Sequence, residues 1–270
     1  MASPADALTG SDLGLGIDAH AFLFGLDGVL TRTAGLHAEA WKKTFDTFLR
    51  AFDTHSLRHD LPFDQRADFA EHLDGRQEDD GIRSFLASRG IEVPDGDPDD
   101  APGTETIRGI AAAKRWVFVS LLEARGPGLD QGALRLLGAA ADAGLPCAVV
   151  TSTEQGGRVL QTAGIADRFE VVVDGAVAAE RGLPGKPAPD GHLYAARELG
   201  VEPSAAAVFE EALAGVEAAR AGGFGAVVGV DRFGGQHGRR LWESGATAVV
   251  TDLADLLGPS GELREHDATG

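Results

Sequence analysis

A single cysteine, Cys147, in a chain of 270 residues excludes an intrachain disulfide; it sits in the apolar run LPCAVV, where a buried thiol is the expected role. No stretch approaches the roughly 20 consecutive apolar residues that a bilayer span needs. The opening MASPADALTGSDLG lacks a basic segment leading into an apolar one, so no signal peptide is expected. These absences suit a reducing compartment, and the expectation is a cytoplasmic protein with no membrane partner. Basic residues are scarce: 24 Lys and Arg face 42 Asp and Glu, for a formal net charge of −18. So acidic a chain repels a phosphate backbone, which argues against a general nucleic-acid surface and favours solubility. Internal repeats, a Walker-type phosphate loop, a CxxC pair and an HExxH motif are also missing.

What is present is the periodicity of an α/β protein. Short apolar runs bounded by turn residues read as buried parallel strands at 21–24, 146–151, 171–173, 206–210, 226–230 and 247–251. Helical patterns fall between them at 130–143, 154–163, 188–199, 212–221 and 235–243, which predicts a doubly wound, Rossmann-like sheet. One interval departs from the alternation. From about 35 to 125 only helix-like stretches occur, at 36–52, 64–73, 78–89 and 105–124, with the acidic turn-rich loop VPDGDPDDAPG at 93–103. This reads as a helical insertion after the first strand, a lobe placed over the strand ends where open α/β sheets bind ligands.

The strand ends carry the chemistry. The first strand runs into Gly25-Leu26-Asp27-Gly28-Val29-Leu30, the second into Thr151-Ser152-Thr153, and the fourth ends in Glu210-Glu211; the loop Gly185-Lys186-Pro187-Ala188-Pro189-Asp190 precedes a helix. A hydroxyl, free amides at a helix N-terminus and a lysine make an anion site. Adjacent carboxylates make a site for a hard cation. Each fragment alone is weak: Thr-Ser-Thr before a helix is usually a cap, and a lone lysine is usually a surface residue. Their order and shared placement carry the argument.

With these fragments in order, the chain resembles the haloacid dehalogenase superfamily, in its β-phosphoglucomutase-like branch with a helical cap. The resemblance spans about residues 17–257 and is densest in FLFGLDGVLTRT, GKPAPD and VFEEALAGVEAARAGGFGAVVGV. It implies a core of residues 15–34 and 126–257, a cap of residues 35–125, and flexible tails at 1–14 and 258–270. It also implies a nucleophilic aspartate two residues before a general acid/base aspartate, a hydroxyl and a lysine holding the transferring phosphate, and an acidic pair holding Mg²⁺. Asp27 then matches the acid/base, Thr151 with the Ser152 amide and Lys186 the phosphate site, and Glu210 and Glu211 the acidic pair. Gly25 stands at the nucleophile's position and has no side chain to attack phosphorus or bind a metal.

Other departures accompany it. Arg32 stands in Thr31-Arg32-Thr33, where the family has an acid. Glu78 falls where phosphosugar mutases place an arginine for a second phosphate, which would reverse the charge there. Lys114 matches a substrate-facing lysine, and Arg115 replaces its usual asparagine neighbour. His37 matches a position near the cap hinge, with a structural or catalytic role; the other histidines are scattered. Trp41 and Trp116 lie among apolar residues, as core or pocket wall, and Glu78, Asp79 and Asp80 read most simply as a solvated face. The expectation is a protein repurposed for metal-independent acid/base chemistry (isomerisation, elimination or cyclisation) on a small anionic or polar substrate. Asp27 would be its acid/base, and Arg32 would supply charge where Mg²⁺ binds weakly; no cofactor is expected. The alternatives are a non-catalytic module binding a phosphorylated metabolite and a weak phosphatase or phosphoglucomutase in which water attacks directly.

Overall fold

The computed structural model describes residues 15, 17–52, 62–73 and 76–257. The segments expected to be flexible tails, 1–14 and 258–270, lie outside the described residues. The chain divides into two compact units, one within residues 1–32 and 129–270 and the other within 33–128.

The first unit is built on six parallel strands: β1 (Ala21–Phe24), β2 (Cys147–Val150), β3 (Val171–Val173), β4 (Ala206–Glu210), β5 (Ala226–Val230) and β6 (Ala248–Val250). Their order across the sheet is β3-β2-β1-β4-β5-β6. Every residue of β1, β2, β4 and β5 is buried, as continuous apolar runs require when both faces of a parallel sheet are covered. The connecting helices are α4 (Gln131–Asp142), α5 (Gly156–Ala163), α6 (Gly175–Arg181), α7 (Asp190–Glu198), α8 (Leu213–Ala221) and α9 (His237–Glu243). Leu23, Val150, Val208 and Val227 from the sheet share one core with Ala195 and Ala196 of α7, Val216 of α8 and Leu241 of α9. Among the described residues, the α-helix with no counterpart in the sequence pattern is α6. It is only 7 residues long, starts where the Asp174 side chain accepts the Val177 N–H, and stops at left-handed Gly182.

Cys147 is 3% exposed, and burial followed by the Glu170 charge pushes its thiol up to about 12. Native protein should therefore resist iodoacetamide at mildly alkaline pH and be alkylated at one site once unfolded. Rapid alkylation of the folded chain would contradict this burial.

The second unit holds α1 (Ala34–Ala51), α2 (Glu78–Ser88) and α3 (Ile107–Arg125). The helix read at 64–73 is present over 67–73, after a turn at 65–66, with two α-helical residues running into a π-helical stretch, Phe69–Leu73. An aromatic core binds these elements: Phe45 lies against Trp41, Phe63 and Phe85 at centroid distances of 5.2, 5.3 and 4.2 Å. Trp116 does not join it; at 68% exposed it is a surface residue, which corrects its expected place in a core or pocket wall. Helix α3 begins at a cap, with the Thr106 hydroxyl oxygen accepting the Gly109 N–H at 2.9 Å. Among the described residues no helix is long and apolar enough to cross a membrane.

Candidate active site

In the first unit the order β2-β1-β4 places the switch of chain direction between β1 and β4, and the candidate residues cluster beyond the carboxyl ends of those strands. The Gly25 N–H donates to the Phe209 carbonyl at 2.8 Å, so the backbone that leaves β1 stays tied to β4. The chain then turns: the Gly28 N–H donates to Thr31 O, and the Leu30 and Thr31 N–H groups both donate to Leu26 O. Gly28 has φ +76°, and a Cβ there would lie 2.8 Å from Glu211 Cγ, so backbone conformation and close packing both demand glycine. This turn leaves Asp27 partly buried, accepting the Thr151 hydroxyl at 3.4 Å. Ser152, next to Thr151, is also partly buried. Helix α5 starts only at Gly156, so Thr151 and Ser152 precede it by a turn instead of forming its N-terminus, as the sequence had suggested.

Lys186 points inward. Its Nζ donates to Val150 O at 3.1 Å and to Glu210 Oε1 at 2.5 Å. His192 Nε2 lies 3.2 Å from the same Glu210 oxygen, and His192 is 1% exposed. Burial pushes the Glu210 carboxyl up, but the Lys186 ammonium and His192 outweigh it and hold the group below the usual carboxylate range. Burial, opposed by the bond to Glu210, keeps the His192 imidazole below its ordinary value. The lysine expected to serve an anion thus already has a carboxylate partner. His192 was not foreseen; the signal available was its spacing, since His192, Ala195 and Ala196 form one buried stripe of α7.

The donor set departs from the family's Mg²⁺ site at two points. Gly25 offers no side-chain oxygen, and Glu210 Oε1 is taken by Lys186 and His192. Among the described residues no three His, Cys, Asp or Glu side chains are grouped to hold a metal ion.

Arg32 is exposed, which corrects its expected role as a charge in the metal position. The guanidinium that reaches the turn around Asp27 belongs to Arg232, which the sequence did not single out. Its Nε donates to Gly28 O at 2.7 Å, Nη2 to Val29 O at 3.4 Å and Nη1 to Thr251 O at 3.1 Å, and it pairs with Asp130 at 2.9 Å. Arg232 therefore clamps two carbonyls of the segment that presents Asp27.

In the second unit, Glu78 is 8% exposed, not part of a solvated face. Its carboxylate is ion-paired with buried Lys114 and, at 3.3 Å, with Arg115. The reversed charge expected at this position is therefore balanced. Desolvation raises the Glu78 carboxyl, but Lys114 and Arg115 overcome it and leave it below the ordinary carboxylate value. The Lys114 ammonium lies 4.9 Å from the Trp41 ring centroid and 5.4 Å from that of Phe118. His37, buried, stacks on Phe118 with centroids 3.9 Å apart. Asp79 pairs with Arg108 at 3.1 Å, and Asp80 is exposed.

Comparison with known proteins matches residues 19–223 to the haloacid dehalogenase-like hydrolase family. A β-phosphoglucomutase of Mycobacterium bovis is 48% identical over 247 residues, covering 91% of this chain and 94% of that protein. One from Bacillus subtilis is 31% identical, covering 87% of this chain and 91% of that protein. The crystal structure of a mutant of CbbY from Rhodobacter sphaeroides in complex with xylulose 1,5-bisphosphate superposes with a TM-score of 0.68 at 29% identity, covering 90% of this chain and 98% of that one. The strand order, the strand-end residues and these matches together place the chain in the haloacid dehalogenase-like hydrolase family, in its β-phosphoglucomutase-like branch.

Proposed function

We propose that this protein acts on a small phosphorylated or carboxylated metabolite by acid/base chemistry through Asp27, without a phosphoaspartate intermediate and without Mg²⁺. The observation that carries the reading is the space beside Gly25: a Cβ there would meet Glu210 Oε2 at 2.9 Å, so a nucleophile's side chain at that position would press on a carboxylate that pairs with Lys186. Asp27 remains partly exposed next to the Thr151 hydroxyl, where it can pass a proton to or from a bound substrate. Thr151 and the Ser152 amide would hold the substrate's anionic group, and Lys186 would share its charge between Glu210 and that anion. Isomerisation, elimination and cyclisation all need such a group and no phosphorus-attacking one.

A second reading, a weak phosphatase or phosphoglucomutase with water as the attacking group, is favoured by the 48% identical β-phosphoglucomutase. Two measurements test them. After incubation with acetyl phosphate, the intact-protein mass should be unchanged. Conversion of β-glucose 1-phosphate and phosphate release from generic esters should be negligible, with or without Mg²⁺. Mg²⁺-dependent turnover of a phosphate ester would replace the first reading with the second; a stable phosphoryl adduct would overturn both, because neither passes through a phosphoenzyme.

A further inference from the structure

The Glu210 carboxylate lies between two glycines. A Cβ at Gly25 would meet its Oε2 at 2.9 Å and its Cδ at 3.3 Å, and a Cβ at Gly215, in α8, would meet its Oε1 at 2.8 Å. Real Cβ atoms do not approach so closely, so either side chain would force the carboxylate to move. Neither glycine has a left-handed φ, so backbone conformation does not call for glycine at either position. What both positions share is the side chain they accommodate. That side chain is 3% exposed and held at one oxygen by Lys186 and His192. His192 Nδ1 has no hydrogen-bond partner among the described residues, and its ring packs edge-on to Phe224 at 5.9 Å, so its polar contact is spent on Glu210.

We infer that Lys186, Glu210 and His192 form a closed ion cluster seated in a slot between Gly25 and Gly215, which replaces the family's metal and nucleophile, so that Gly25 is a space requirement of Glu210 and not a bare deletion. Formal charge supports the exchange. An additional aspartate at position 25 would place a second carboxylate beside Glu210 with only Lys186 to balance the two, whereas without it Lys186 balances Glu210. A side chain at position 25 and the present orientation of Glu210 are then mutually exclusive, so Gly25→Asp would have to displace the Glu210 carboxylate from Lys186 and His192 before the two acids could share a metal. The inference shares with the proposed function the lack of a nucleophile, but does not depend on what Asp27 does.

The test is a coupling measurement supported by a metal titration. Gly25→Ala should lower the melting temperature by roughly 3–10 °C, the cost of overpacking a filled space. In a Glu210→Asp background the carboxylate is drawn back by one methylene while its charge is kept, and the same Gly25→Ala change should cost less than half as much. Equal losses in both backgrounds would overturn the slot. Calorimetric titration of wild-type protein with MgCl₂ needs no variant to fold and should show no binding in the micromolar range; the Gly25→Asp protein should behave alike. Micromolar Mg²⁺ affinity in either protein would mean that Glu210 is available to metal and would overturn the cluster. Failure of Asp27 variants to affect turnover would bear on the proposed function alone and leave these outcomes untouched.

Discussion

Asp27→Asn should lower turnover about 10²–10⁴-fold on whichever sugar phosphate or carboxylate proves to be a substrate, the usual worth of a positioned general acid or base. The substitution keeps the side chain's shape and its contact with the Thr151 hydroxyl, so binding of inorganic phosphate, followed by calorimetry, should be unchanged. That split separates the catalytic reading from a module that only binds, in which phosphate binds but no wild-type turnover exists to lose. An Asp27→Asn protein with full activity would show that the proton is moved elsewhere. Lys186→Ala is a poorer probe of anion binding than the motif suggests, because it also strands the buried Glu210 carboxylate. A loss of binding in that variant should be accepted only alongside an unchanged unfolding midpoint.

The second large effect lies in the helical unit. Glu78→Ala leaves the Lys114 ammonium buried, with Trp41 and Phe118 ring faces beside it but without its carboxylate, and should cost roughly 3–5 kcal/mol in denaturant unfolding. Replacing both partners, Glu78→Leu with Lys114→Met, should recover most of that loss, because the desolvation of two charges is removed together with their attraction. The pH dependence has a definite sign. The folded Glu78 carboxyl is held below its ordinary value of 4.5, so its contribution is fully present above that pH and is lost as pH falls through the lowered folded value. Between those two values the unfolded chain takes up a proton that the folded one does not. Melting temperature followed from neutral to acid pH should therefore fall less steeply in Glu78→Ala than in wild type. Parallel acid limbs would place Glu78 outside the stabilising network.

The two units differ in how openly the sequence declared them. Runs such as AFLF and AVVGV are apolar at every position because both faces of their strands are covered, and that property belongs to each segment by itself. Helix α6 escaped because a 7-residue helix set by one cap and one glycine has almost no periodicity to read. The stretch at 64–73 carried a helical pattern and is helical over 67–73, but its period widens to a π-helix at Phe69–Leu73, which hydrophobic spacing alone did not show.

The candidate site divides in the same way. The residue types at the strand ends, including the glycine before Asp27 and the pairing of Glu210 with Glu211, were legible because short motifs are local and keep their order. Partnership is not local. Glu78 lies 36 residues from Lys114, Lys186 lies 24 from Glu210, and Arg232 lies 204 from Gly28, so no window of sequence could pair them. Arg32 and Arg232 illustrate the point: the arginine beside the motif faces solvent, whereas the distant one clamps the turn. By itself the sequence determined the α/β architecture, the family and which chemical groups stand at the strand ends, because those follow from hydrophobic period and local motif. Only the tertiary structure decided which of those groups are already bound to each other, because desolvation rewards a buried charge for finding its counter-charge wherever the fold brings one within reach.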